Sequence, residues 1–173
     1  FSHLCQQIHQ LNNIAPTLLS LENGAVLDDV QLFEIKKTAI LTKAIALDVN
    51  KLNISWLLFE PMEPVINILD PEHTHIPHFY VYSAYDEELA CLREKMKSMD
   101  NAQDIETYRF QAQQVEDRVR LQLSEKLRPY HAALSQNLRS TAYLDMLIAK
   151  AKLAIEWNAC KPQISDSHNI AND

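Results

Sequence analysis

Between Asp104 and Trp157 the apolar positions recur at steps of three or four without a slip: Tyr108, Ala112, Val115, Val119, Leu123, Leu127, Tyr130, Leu134, Leu138, Thr141, Leu144, Ile148, Ala151 and Ile155. That spacing is one face of an α-helix held for many turns. If continuous, about 54 residues rising roughly 1.5 Å each make a rod of ~80 Å. An ordinary globular helix has only about 11–12 residues. A rod this long either forms a coiled coil or connects two distant places. Pro129 is its one interruption, because it removes the hydrogen bond to the carbonyl near Glu125 and disfavours helix at Arg128. The stripe passes it in phase, from Leu127 to Tyr130 to Leu134, which predicts a kink and not a domain break.

Shorter helical patterns precede the rod. Phe1, Leu4, Cys5, Ile8 and Leu11 form a stripe that Pro16 is expected to end. Leu18, Leu19 and Leu21 follow, then the turn signal Glu22-Asn23-Gly24. Asp28 and Gln31 have the spacing of a capping box. They open a helix running through Phe33, Ile35, Ile40, Leu41, Ala44, Leu47 and Leu52, with Lys36, Lys37 and Lys43 read as its solvated face. A short helix from Glu63 to Ile68 fits Pro64 in a first turn. The period then changes. Ile66 and Ile68, with Ile76, Phe79 and Val81 beyond the Asp70-Pro71-Glu72-His73 turn, predict one small β-hairpin within residues 66–82.

Ser83-Ala84-Tyr85-Asp86 is a second helix start. Asp86, Glu87 and Glu88 suit the positive end of the helix dipole, and Arg93, Lys95 and Lys97 the negative end. Leu89, Leu92, Met96 and Met99 form its apolar seam, with the methionines as core filler. Only Asp100 to Gln103 separate this helix, expected over Ala84 to Met99, from the rod. The two must therefore double back as an antiparallel pair, with Leu89, Leu92 and Met96 against Val115, Val119 and Leu123. Val30 to Leu52 is expected to pack below Pro129. The pattern predicts an all-α fold: a long-helix bundle with a projecting helical hairpin over 83–129, a helical core from 1–82 and 130–164, and the one small β-hairpin. A polar tail follows from Ser165 to Asp173.

Composition narrows the chemistry. A single glycine, Gly24, cannot write a Rossmann or P-loop motif. Cys5, Cys91 and Cys160 are few, odd in number and far apart, the pattern of reduced intracellular thiols. No run of ~18 uncharged apolar residues predicts a membrane span. The chain begins at Phe1 with no signal peptide, which raises the expectation of a segment from a larger cytoplasmic protein. The net charge of −7 disfavours tight DNA binding by this piece alone. His73, His75 and His78 could place rings on one face of a strand, but no cysteine or well-spaced carboxylate completes a metal site, so solvated loop histidines are the expected state. Asp145 reads as a buried polar link. Glu116, Asp117, Arg118 and Arg120 read as surface i,i+4 pairs.

Taken together, several segments resemble the core of the MutS family. They are Leu127-Arg128-Pro129-Tyr130-His131-Ala132-Ala133-Leu134, Tyr143-Leu144-Asp145-Met146-Leu147, Ala151 to Ala154, and Cys160-Lys161-Pro162-Gln163-Ile164. In that family a long lever helix ends in a leucine–aspartate pair, and a short link to a proline follows just before the ATPase domain. Tyr85 to Arg93 resembles the family's helix start, with an acidic stretch before leucine. Ile68-Leu69-Asp70-Pro71-Glu72 resembles the hairpin of a MutS2-like branch, and Phe33-Glu34-Ile35-Lys36-Lys37 resembles a helix in the first half of the core. The resemblance touches most of residues 28–164. Classical mismatch-recognising members insert a DNA-gripping clamp where this chain has only Asp100 to Gln103, and they carry glycine where it has Ala84.

The resemblance implies a core and lever segment that relays conformational change between a DNA-binding region and an ATPase domain. It implies ATP and Mg only in that absent domain, whose Walker motifs are not in this chain. It also implies DNA contact through the parent and a homodimeric parent, with no catalytic, cofactor-binding or metal residue here. A stand-alone helical protein–protein interaction module is the alternative, and a metal-dependent enzyme built on the histidine turn is a third.

Overall fold

The computed structural model describes residues 2–54, 56–72, 79–99 and 101–160. The described residues are all-α, with no strand among them. The helices are α1 (Ser2–His9), α2 (Ala15–Glu22), α3 (Asp29–Lys51), α4 (Glu63–Leu69), α5 (Glu87–Lys97), α6 (Ala102–Leu127) and α7 (His131–Glu156).

Local chemistry sets their ends. Asp28 caps α3: its carboxylate accepts from the Gln31 N–H at 2.8 Å, and the Asp28 N–H donates to Gln31 Oε1 at 3.0 Å, a complete capping box. Asp86 caps α5 through the N–H groups of Glu88 and Leu89. Asn101 caps α6 by accepting from the Gln103 N–H. The turn after α2 needs a backbone that only glycine adopts freely, and Gly24 lies there at φ +84° with the Arg128 guanidinium against it. Between α6 and α7, Arg128–Tyr130 form one 3-10 turn, in which the His131 N–H reaches back to the Arg128 carbonyl. With Pro129 lacking an N–H, this tighter i→i+3 pattern carries the chain from α6 into α7.

The bundle is arranged around α6 and α7. α3 runs in the same direction as that pair. Near its start, Arg120 meets Asp29 at 2.7 Å and the Leu27 N–H donates to Ser124 Oγ at 2.9 Å. Near its end, Ile45 and Val49 share a cluster with Leu144 and Ile148. α4 returns along α3, with Lys43 at Glu63 and Lys36 at Asp70. The stretch before α4 is held to α7, where Asn137 bonds both the N–H and the carbonyl of Glu60, and Ser140 donates to the Leu58 carbonyl. One buried cluster joins α2, the first half of α3, α4, α5, α6 and the start of α7. A second joins α1, the end of α3 and the middle of α7.

Several expectations are corrected. Residues 66–69 belong to α4 and not to a strand, because Glu63-Pro64 starts a helix whose Val65, Ile66 and Leu69 turn inward at helical spacing. The second half of the expected hairpin, with His73, His75 and His78, lies largely outside the described residues. Phe79 and Val81 are buried without being in a strand. Pro16 does not end the first helix. It sits in the first turn of α2, where its missing N–H is harmless. Residues 83–85 form a 3-10 turn, and α5 begins only after Asp86. In α3 the buried apolar positions are Leu32, Ile35, Ala39, Ile45 and Val49, while Leu47, and Leu52 just past the helix, are exposed. The rod's stripe is buried only as far as Ile148, and Ala151 and Ile155 face solvent.

Candidate functional site

The residues singled out for helix pairing lie on α5 and α6. Leu89, Leu92, Val115, Val119 and Leu123 are buried, and Met96 is half-buried at the edge of the same cluster. Charged pairs fix the direction of the two helices. Arg118 meets Asp86 at 3.1 Å and Glu88 at 2.8 Å at the start of α5. One turn on, Arg93 reaches Glu116 at 2.8 Å, and farther along Lys95 lies over the Tyr108 ring. As α5 advances, its partners on α6 recede in number, so the helices run antiparallel.

Glu116, Asp117, Arg118 and Arg120 are therefore more than surface pairs within one helix. Arg120 does bond Asp117 at 2.6 Å and Glu116 at 3.5 Å, but it also holds Asp29 at the start of α3. The resulting charge network spans α3, α5 and α6. Burial pushes the Asp86 carboxyl upward. The Leu89 and Glu88 N–H groups and the Arg118 guanidinium outweigh that and hold it below the usual aspartate range. Arg120 is held above its ordinary value chiefly by its hydrogen bonds to Asp29.

At the root of α5 the structure places a buried polar cluster that the hydropathy pattern did not reveal. Lys36 is 1% exposed and Asp70 0%. Lys36 Nζ donates to Asp70 Oδ1 at 3.1 Å and to the Tyr82 hydroxyl at 3.2 Å, and lies 5.5 Å from the centroid of the Tyr82 ring. Tyr82 is buried and meets Phe79 edge-on at 5.9 Å. Tyr85 donates its hydroxyl to the Ile68 carbonyl at 2.9 Å, and burial pushes that phenol well above the ordinary range. Lys36 is thus buried, and not part of the solvated face that its place among the lysines of α3 predicts. The signal that could have found it is its spacing: with Leu32, Ile35 and Ala39 it fills the i+4 position of an inward-facing set.

Other candidates are not brought together. Asp145 is exposed on α7, at the edge of an open cleft of about 560 Å³ between α7, α2 and the α1–α2 link. The cleft has an apolar floor that includes Ile8, Leu18 and Leu138, and Glu22, His131 and Arg139 on its walls. Among the described residues no group of three or more His, Cys, Asp or Glu could hold a metal, and the three histidines of the 73–78 stretch lie outside them. With Gly24 as its only glycine, the chain does not fit a phosphate-cradling loop for ATP. No described helix is long and apolar enough to cross a membrane. No family model, curated protein or solved structure matches the chain.

Proposed function

We propose that this chain is the core and lever segment of a MutS-like ATPase of DNA mismatch repair or recombination. Its work is mechanical: a stiff helix pair transmits movement between a DNA-binding region and a nucleotide-binding domain supplied by the rest of the parent chain. α5 and the first part of α6 form a projecting arm, and α7 carries the movement toward the downstream domain. The observation that supports this reading is the antiparallel α5–α6 pair, whose second helix continues into α7 through a single 3-10 turn. The short link over 98–101 holds no inserted clamp, a departure from classical members that points away from mismatch recognition by this segment. The exposed Leu153, Ile155 and Trp157 at the end of α7 suit a surface that a following domain covers. The segment itself performs no chemistry, and the parent works in the cytoplasm with ATP and Mg bound outside this segment.

The test is made on the full-length gene product. It should contain a Walker A loop downstream of residue 173 and hydrolyse ATP. Leu92→Ala combined with Val115→Ala should leave basal turnover intact while abolishing its response to DNA. A parent without a nucleotide-binding domain would overturn the proposal.

A second reading, a helical interaction module that works alone, is favoured by one observation. Trp56, Leu58, Tyr143 and Met146 are all exposed, with the Trp56 and Tyr143 rings 5.9 Å apart. Trp56→Ser with Tyr143→Ser would then abolish partner binding in a protein that has no ATPase.

A further inference from the structure

We infer that the buried Lys36–Asp70–Tyr82 cluster is a latch that sets how the α5–α6 pair is seated on the core, and that it does so by direction more than by stability. The three residues come from three different places. Lys36 lies in the middle of α3, Asp70 follows the last residue of α4, and Tyr82 precedes the 3-10 turn that leads into α5. One ammonium therefore ties the core helix, the end of α4 and the root of α5 at a single point. The distances of 3.1 and 3.2 Å are those of formed hydrogen bonds. Tyr85, three residues on, adds a second tie to α4 through the Ile68 carbonyl.

The chemistry is unusual for a place that only needs filling. Taking an ammonium and a carboxylate out of water costs most of what their attraction returns, so an apolar trio of similar volume would hold the core about as well. What the charged pair adds is geometry. A seating of the 79–86 segment that breaks these bonds takes partners from a fully buried ammonium and is penalised. Phe79 and Val81 already supply apolar packing there, which is non-directional and does not by itself fix one seating.

The other leg of the pair needs no such device. α6 continues into α7, and its contact with α3 is fixed by Arg120–Asp29 and by the Leu27–Ser124 hydrogen bond. Among the described residues the α5 leg is tied to α6 and, through Arg93 with Ser83 and Tyr80, to the 79–86 segment that carries Tyr82. The latch thus lies where that segment, and α5 with it, is seated on the core.

Amide hydrogen exchange on the whole chain tests this inference, and it needs neither nucleotide nor DNA. It therefore stands or falls separately from the function proposed above. Lys36→Met together with Asp70→Asn removes both charges. The expected result is a melting temperature within a few degrees of the unmodified chain, α5 amides exchanging at least tenfold faster, and α3 and α7 amides unchanged within threefold. Asp70→Asn alone, which leaves the buried ammonium without its carboxylate, should lower the melting temperature more than the double substitution does. Equal acceleration in α3, α5 and α7 would show an ordinary stabilising contact and overturn the inference. No acceleration in α5 would overturn it as well. Should the double variant fail to fold, Tyr82→Phe deletes only the hydroxyl. It must still accelerate α5 selectively, or the inference fails.

Discussion

Leu92 is 6% exposed within the cluster that joins α5 to α6, whereas Glu94 is exposed to solvent and, among the described residues, pairs with Lys97 on its own helix. Truncating a buried leucine loses its transfer energy and leaves a cavity, so Leu92→Ala should lower unfolding free energy by about 2–5 kcal/mol. Glu94→Ala should change it by less than about 0.5 kcal/mol. Denaturant melts of the two variants check the pair, and equal shifts would show that the inward face is misassigned. Asp86 makes a prediction of a different kind. Its folded carboxyl titrates below the free value of 3.8. The charge therefore stabilises the fold fully above about pH 5, and that contribution disappears as pH falls below 4 through the lowered value. Asp86→Asn keeps a capping oxygen but loses the charge. The difference in melting temperature between it and the unmodified chain should be largest near pH 6–7 and shrink toward pH 2–3. A constant difference across that range would mean that Asp86 acts through capping alone. The seam residues were legible because apolar side chains repeat. Lys36 was not, since a hydropathy pattern counts every lysine as polar and cannot anticipate a carboxylate and a phenol arriving from 34 and 46 residues away.

At the level of elements, short-range chemistry proved the most readable. The Asp28–Gln31 capping box is an i,i+3 event that needs no tertiary knowledge, and both of its hydrogen bonds are formed. Asp28→Ala should therefore cost about 1 kcal/mol, within a range of roughly 0.5–2. An unchanged midpoint in thermal melts would show that the box contributes nothing to α3. The stretch from 66 to 82 misled because alternating isoleucines around a turn fit two periods at once. Glu63-Pro64 then commits the chain to helix before the alternation can matter, and Val65, Ile66 and Leu69 become one buried face. Pro16 misled for a related reason. A proline marks a helix boundary, but the residue alone does not say on which side of it the helix lies.

For the whole molecule, the balance of charge and the absence of a phosphate-binding loop set the expected behaviour. With a net charge of −7, the chain on its own should not hold duplex DNA tightly at physiological salt, and it should not hydrolyse ATP. Submicromolar affinity for duplex in a fluorescence titration would count against this. The all-α character was legible from periodicity, which survives without any knowledge of neighbours. How α1 to α4 stack was not, because several helices with broad apolar faces can be arranged in more than one way. The polar contacts that select among these arrangements, such as Asn137 with Glu60 or Ser124 with Leu27, join residues 77 and 97 positions apart.

The 3-10 turn over Arg128–Tyr130 has a torsional consequence. Winding at three residues per turn in place of 3.6 advances each residue by about 20° more, so the turn overwinds the rod by about 60°. Ideal 3-10 winding would set the inward face of α7 against that of α6 like two cams keyed to one shaft at different angles, with Pro129 as the key. Pro129→Ala removes a poor helix former and by propensity alone should raise the melting temperature. Relaxing the turn to regular winding would rotate one face against its partners, so the melting temperature should fall instead. A rise would mean that the two helices share one phase and that the turn merely accommodates the proline ring.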